Sequence, residues 1–499
     1  MSLRRRTVSI IAAAGAAAAL AVVAPSAVAA SPRIGWAPCA DDAAVDCGTL
    51  TVPLDYAQPH GPTVTLAMER RPADDPAHKI GSIFVNPGGP GSPGLHEARN
   101  AAKRFGPDVL ARYDIIGFDP RGVGASTPLQ CFTNNDDPAA IFTRITDVPL
   151  SSTEISNDLG AFRDYTAGCG VNGGPIKAHM STLNVARDLD RMRQAVGDPK
   201  LNYAGYSYGT LLGAIYANVF PNRVGRMILD GPEDARQITT DRVAHLLVRS
   251  TGAEEMLDSV LAACQQAGSA CPFYGGDLTA QQKFDRLRDR LRTGPIGSTT
   301  ISALVDGIAN AAFSEAQQAP LAAWFQQLYD AAFGSGAAPA GTPAAGAAAA
   351  GDPYKYNLTD AWLGTYCTDG PQPTNQAVYP PLAAAFERIA PTFGRWTVFG
   401  DTPCATYPVT DEERYAGPWD RPTAPILVVA LTHDAYTPYP SARRLVQELD
   451  NARLLTVDGY GHLSQNSICA RTARDTYLLS GTLPAPGTPC AQDSGPFPG

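Results

Sequence analysis

Short apolar, β-branched runs that each stop at a turn residue recur along this chain, with amphipathic stretches between several of them. The runs are residues 82–85, 114–118, 201–204, 226–229, 426–431 and 453–457, and their length and branching predict strands. Between two of them, Val185, Leu189, Met192 and Val196 share one helical face, with Arg and Asp side chains on the other. Strand alternating with helix predicts an α/β fold, a mostly parallel sheet flanked by helices on both faces. The alternation breaks after Leu229-Asp230-Gly231-Pro232. Helical patterns follow at 244–263 and 280–291, then a Gly/Ala/Pro-rich run, 334–351, which cannot build a packed core. Strand text resumes only at Pro425. The expected organisation is therefore a core in two parts, 31–232 and 416–499, with a mainly helical insertion, 233–415, between two strands. A chain of 499 residues suits that arrangement, because single cores stop growing near ~250–300 residues.

Residues 1–30 read as a leader. Arg4, Arg5 and Arg6 precede an apolar run, 10–24, and Ala27-Val28-Ala29 forms a small-residue cleavage site. The run is shorter than the ~20 residues a membrane span needs and ends at Pro25, so an exported chain without a stable membrane anchor is expected. Arg5-Arg6 also permits the twin-arginine route. The net charge is −9 and the leader supplies three arginines and no acid, so the remainder is more acidic still. That balance argues against nucleic acid as a partner.

All ten cysteines, Cys39, Cys47, Cys131, Cys169, Cys264, Cys271, Cys367, Cys404, Cys469 and Cys490, lie beyond the leader. An even set in an exported chain predicts five disulfides. Short loops close at little entropic cost, so neighbours in sequence are expected to pair, Cys39 with Cys47 and so on to Cys469 with Cys490. No C-x-x-C pair or clustered Cys/His spacing is present, so neither a metal site nor a cofactor is expected.

Gly205-Tyr206-Ser207-Tyr208-Gly209 follows the run 201–204 and opens the helical pattern 210–219. A serine on a strained strand-to-helix turn, with glycines where side chains would collide, has the geometry of an exposed nucleophile. The N–H of Tyr208 then stands at a helix N-terminus, suited to an oxyanion. A serine hydroxyl needs a base, and the order Ser, acid, His is the one this elbow implies. Of the seven histidines, only His433 and His462 lie beyond the insertion, each just past a strand. His462 sits in the loop Asp458-Gly459-Tyr460-Gly461-His462, and Asp434 follows the run 426–431. The expected triad is Ser207, Asp434 and His462, with Asp458 as the rival acid and His433 as a solvated neighbour. Asn86-Pro87-Gly88-Gly89-Pro90-Gly91 follows the run 82–85 and nominates the N–H of Gly89 as second oxyanion donor. The same stretch fits G-x-G-x-x-G over 89–94, but Pro90 and Pro93 remove N–H donors that a pyrophosphate would use. Arg and Asp in Asp119-Pro120-Arg121-Gly122-Val123-Gly124-Ala125-Ser126 are expected to brace neighbouring loops.

Taken together, Asn86–Gly91, the loop 119–126, the Ser207 elbow, Asp434 with Thr437-Pro438, and Gly461-His462 make the chain resemble the secreted tripeptidyl-aminopeptidase-like α/β-hydrolases of actinomycetes, which are related to the proline iminopeptidases. The resemblance covers nearly all of the chain beyond the leader. It implies the α/β-hydrolase fold, a helical cap over the site, and release of short peptides or single residues from free N-termini. It also implies that acidic residues on the cap side hold the substrate ammonium, for which Glu233, Asp234 and Asp369 are the candidates. Where that family often has tryptophan, three residues after the cysteine matching Cys404, this chain has Tyr407. The same triad would serve a secreted esterase or a hydrolase of a specialised metabolite, because fold and triad do not set substrate.

Overall fold

The structure is a computed structural model, and it describes residues 34–497 apart from 335, 338, 340–353, 355–356 and 410–412. The leader and most of the 334–351 run lie outside the described residues. Ten strands form one sheet: β1 (Ala37–Pro38), β2 (Asp46–Pro53), β3 (Thr63–Arg71), β4 (Gly81–Asn86), β5 (Tyr113–Phe118), β6 (Leu201–Tyr206), β7 (Val224–Asp230), β8 (Ile426–Asp434), β9 (Ala452–Gly461) and β10 (Cys490–Ala491). Their spatial order is β1-β2-β3-β5-β4-β6-β7-β8-β9-β10. From β5 through β10 every neighbouring pair is parallel, and β1, β2 and β3 join the edge antiparallel.

The central strands are buried on both sides, which is why they read as continuous apolar runs rather than alternating ones. Period-two geometry sends Phe84, Ile116, Tyr203, Met227 and Val428 into one layer. Their neighbours Ile83, Ile115, Ala204, Ile228 and Leu427 enter the other. The helix Thr182–Val196 lays the predicted stripe, Val185, Leu189 and Met192, on the first layer. It stops at Gly197, whose φ of 84° gives the left-handed C-cap that favours glycine.

Between β7 and β8 the described residues form helices and no strand. Side chains cap several of these helices, among them Asp241 on Arg242–Ala267, Thr279 in a capping box with Gln282 on Ala280–Arg292, and Thr300 on Ile301–Ala311. They build a core of their own around Leu257, Phe284, Leu304, Ile308 and Phe325. It meets the sheet domain at Ala435, directly after β8. All five sequence-neighbour cysteine pairs are bonded, and no described cysteine is free. Among the described residues no helix is long and apolar enough to cross a membrane.

The loop after β5 is held by buried charge. Arg121, 0% exposed, donates from Nε and Nη2 to the two oxygens of Asp188, each at 2.7 Å, and from Nη1 and Nη2 to the carbonyls of Leu54 and Pro53. Tyr56 donates its hydroxyl to the same Asp188 at 2.7 Å. Asp119 accepts from the N–H groups of Gly94, Leu95 and Ala125, tying this loop to the one after β4. Both residues brace loops, as the sequence suggests. Truncating Arg121 would leave Asp188 buried without a counter-charge, so Arg121→Ala should lower unfolding free energy by about 3–5 kcal/mol in urea titration. A change under about 1 kcal/mol would show that the pair does not hold the loop.

Candidate active site

The parallel strands end together at one edge of the sheet, with Asn86 opposite Gly205 and Tyr206 opposite Asp230. Loops leaving that carboxyl-end edge are where open α/β sheets build their sites. Ser207, half-buried, sits between β6 and the helix Gly209–Val219 at a φ of 53°, one of two non-glycine residues among those described with positive φ. Such a conformation costs about 1–3 kcal/mol and persists only where its surroundings over-determine it. Here the Ser207 N–H donates to the carbonyl of Asp230 at 3.0 Å, and the Ser207 carbonyl accepts from the N–H and hydroxyl of Thr210. The flanking glycines are required sterically. A Cβ on Gly205 would lie 2.3 Å from the Gly209 carbonyl oxygen, and one on Gly209 would lie 2.8 Å from Asn86 Oδ1. Across the cleft a Cβ on Gly88 would lie 2.8 Å from that of Ser207. The glycine loop after β4 therefore packs directly on the elbow, with Gly89 next in line and exposed. Tyr208 is the N-cap residue of the helix, and its side chain is anchored away from the turn by a 2.6 Å hydrogen bond with Thr182.

Asp434 and His462 meet at the ends of β8 and β9. His462 Nδ1 lies 2.9 Å and 3.0 Å from the two carboxylate oxygens. Asp434 also accepts from the N–H groups of Tyr436 and Thr437 and from the Thr437 hydroxyl, so its orientation is set by its own turn. Burial pulls the His462 imidazole down, but the charge and hydrogen bond of Asp434, with Glu233 and Asp230 nearby, outweigh it and leave the ring above the ordinary histidine value. Asp458 is exposed and bonded to Thr432, and His433 faces Glu255 at 2.8 Å. Neither is hydrogen-bonded to the Asp434–His462 pair.

The acids after β7 part company. Glu233 is half-buried; burial raises its carboxyl, while Arg249 and then His462 pull it back. Asp234 caps the helix Ala235–Thr240 through Gln237 N–H and pairs with Arg444. Asp369 accepts from the N–H and hydroxyl of Thr182. Glu233 feels the charge of His462.

Sequence reasoning passed over the brace behind the pair. Asp230, fully buried, accepts from the N–H and hydroxyl of Ser464 and from Arg474 at 2.6 Å. Its backbone carbonyl holds Ser207 while its side chain holds the loop two residues past His462. An aspartate closing an otherwise apolar strand was the available signal. Phe313 and Tyr436 face the imidazole, at 5.8 and 5.3 Å between ring centres.

A family profile described as the alpha/beta hydrolase fold matches residues 81–466. The tripeptidyl aminopeptidase of Streptomyces lividans is 32% identical over 493 residues, covering 94% of this chain and 89% of the relative. Serine protease Hip1 of Mycobacterium tuberculosis is 31% identical, covering 92% of each. A Mycobacterium tuberculosis protein named carboxylesterase B is also 31% identical, covering 94% of this chain and 92% of that one.

Because the turn has no room for a side chain, Gly205→Ala should destabilise the fold by about 1–3 kcal/mol. Gly160→Ala, inside the helix Ser152–Asn172 with only Arg163 Nη2 at 3.6 Å from the new carbon, should instead stabilise by about 0.5–1 kcal/mol. Denaturant midpoints of the two variants against the parent compare the sites, and equal shifts would refute the steric reading of the elbow.

Proposed function

The chain belongs to the α/β-hydrolase family and is a serine hydrolase, and from that we propose that it is an exported exopeptidase that acts near the free N-termini of peptides. The observation that carries the catalytic half is the pairing of a strained, half-buried elbow serine with a buried Asp434–His462 hydrogen bond at the same sheet edge. In this reading Ser207 Oγ attacks the scissile carbonyl and His462 takes its proton, later returning it to the leaving amine. Asp434, bonded to Nδ1, keeps Nε2 free as the base and steadies the imidazolium. The N–H groups of Tyr208 and Gly89 receive the oxyanion. Water then releases the acyl group from Ser207 by the same route.

The peptidase half rests on the tripeptidyl aminopeptidase and the serine protease among the relatives. Export rests on the leader pattern and on five disulfides, which persist in oxidising compartments. The division into 31–232, 233–415 and 416–499, with the middle segment as a cap over the cleft, follows the break between β7 and β8. An esterase is the second reading, favoured by the equally similar relative named carboxylesterase B.

Ser207→Ala should fold normally and lose a factor on the order of 10⁴ in kcat. Asp434→Asn should cost far more than Asp458→Asn, and the reverse order would move the acid. A panel of amino-acid, dipeptide and tripeptide chromogenic amides beside acyl esters separates the two readings. Amide turnover at least ~30-fold faster with a free than with an acetylated N-terminus is the expected result. Equal rates would reject N-terminal recognition while leaving the chemistry at Ser207 intact.

The pH profile offers an independent check. Only the neutral imidazole serves as base, and Asp434 holds the ring above its ordinary value, so the acid limb of kcat/KM should lie above pH ~6.5. In Asp434→Asn the carboxylate charge is gone, and the limb of the residual activity should move to lower pH. A limb that stays in place would assign it to another group.

A further inference from the structure

Phe313 follows the helix Ile301–Ala311, and 54% of its surface is exposed although it stands beside the buried acid–base pair. Tyr436 covers one side of it, with the two rings stacked at 4.4 Å between centres and 26° between planes. The imidazole of His462 stands 5.8 Å away at 70°. An exposed apolar side chain is ordinary in itself. Phe142, Tyr274 and Phe333 are exposed rings as well, but among the described residues none of them has a ring contact with His462.

The turn that carries Phe313 is fastened on both sides. The Ala312 N–H donates to the Ile308 carbonyl at 2.9 Å, and Gln318 Nε2 donates to the Ala311 carbonyl at 2.8 Å. Ser314 pairs with Gly461 in an isolated bridge, and the buried Glu315 accepts from Asn466, four residues past His462. Tyr436 is fixed through its hydroxyl on the Ala309 carbonyl at 2.7 Å. A ring pair held in this way has little freedom left to lose when a further group settles on it.

The order of the sheet indicates which group that is. The N–H donors of Gly89 and Tyr208 follow β4 and β6, whereas Asp434 ends β8 and His462 follows β9, further along the same edge. A carbonyl attacked by Ser207 turns its oxygen toward the first set and its leaving group toward Nε2, which must protonate it. The first residue beyond the scissile bond therefore lies alongside the imidazole, within reach of Phe313. We propose that Phe313, backed by Tyr436, selects an aromatic side chain on that first leaving residue by stacking with it. The proposal rests on the acyl-enzyme reading above and adds to it a preference on the leaving side of the bond. A ring laid on the open side of Phe313 removes apolar surface of both from water and extends the aromatic stack.

Partitioning of the acyl-enzyme between water and added amines tests this directly. The acyl-enzyme is formed from the ester that the protein turns over fastest, and phenylalaninamide or glycinamide then competes with water for it. The amine nitrogen attacks the acyl carbonyl and gives a proton to His462; the bond to Ser207 Oγ breaks, and Oγ takes that proton back. In the parent, aminolysis relative to hydrolysis should favour phenylalaninamide over glycinamide by at least ~5-fold. Phe313→Ala should bring the preference to within ~2-fold of unity, while Phe313→Tyr should keep it. A side chain that only steadied His462 would affect both acceptors alike when removed and leave the preference intact. A preference that survives in Phe313→Ala, a parent without one, or a change that follows the acyl group rather than the acceptor overturns the proposal. If esters are cleaved but amides are neither cleaved nor formed, the peptidase reading has failed. Benzyl and ethyl esters of one acid then replace the two acceptors, and a benzyl-to-ethyl ratio of kcat/KM that falls at least ~5-fold in Phe313→Ala still supports the platform, whereas an equal ratio rejects it.

Discussion

Asp230 is the point on which the catalytic edge depends. It closes β7 in a layer that is otherwise apolar, where an unpaired carboxylate would be expensive. The cost is offset by drawing in Arg474, Ser464 and the Ser464 N–H, so the loop bearing His462 cannot leave without exposing a buried charge. Its backbone carbonyl meanwhile receives the N–H of Ser207. One residue thus ties the elbow of β6 to the loop of β9, across β7 and β8. Rigid support of this kind matters because catalytic groups misplaced by as little as ~1 Å lose much of their effect.

Buried charge also holds the scaffold. In the sheet domain several buried ions are matched: Arg121 with Asp188, Arg474 with Asp230, Arg193 with Asp190. Those pairs hold loops whose backbone groups have no sheet partners. Asp119 and Asp158, buried without an ion pair among the described residues, are held by backbone N–H donors instead.

The inserted segment also reaches the Asp434–His462 pair. Phe313 and Tyr436 flank the imidazole, and Ser314 forms an isolated bridge with Gly461, directly before His462. The Tyr436 hydroxyl donates to the Ala309 carbonyl of the helix Ile301–Ala311. The helix Ile301–Ala311 and the turn after it are therefore fastened to the turn after β8 and to the loop that carries His462.

Local pattern was enough for much of this. The six apolar runs, the helix over 182–196, the glycine-flanked Ser207 and the pairing of adjacent cysteines each depend on residues close together in the chain, where spacing and loop entropy act directly. The antiparallel edge was not legible in the same way. β2 contains Gly48 and ends in Pro53, and its partner β3 is tied to the loop after β5 by the Ala67 N–H donating to the Ser126 hydroxyl. Nor could the sequence say which acids stand alone. Asp230 meets Arg474 across 244 residues and Asp234 meets Arg444 across 210, so counting charges near a motif does not reveal which are already neutralised. Strand, elbow and disulfide positions were determined by short-range sterics and chain entropy, already present in the sequence; the matching of buried charges was decided only when folding brought distant side chains into a medium where each ion needs a partner.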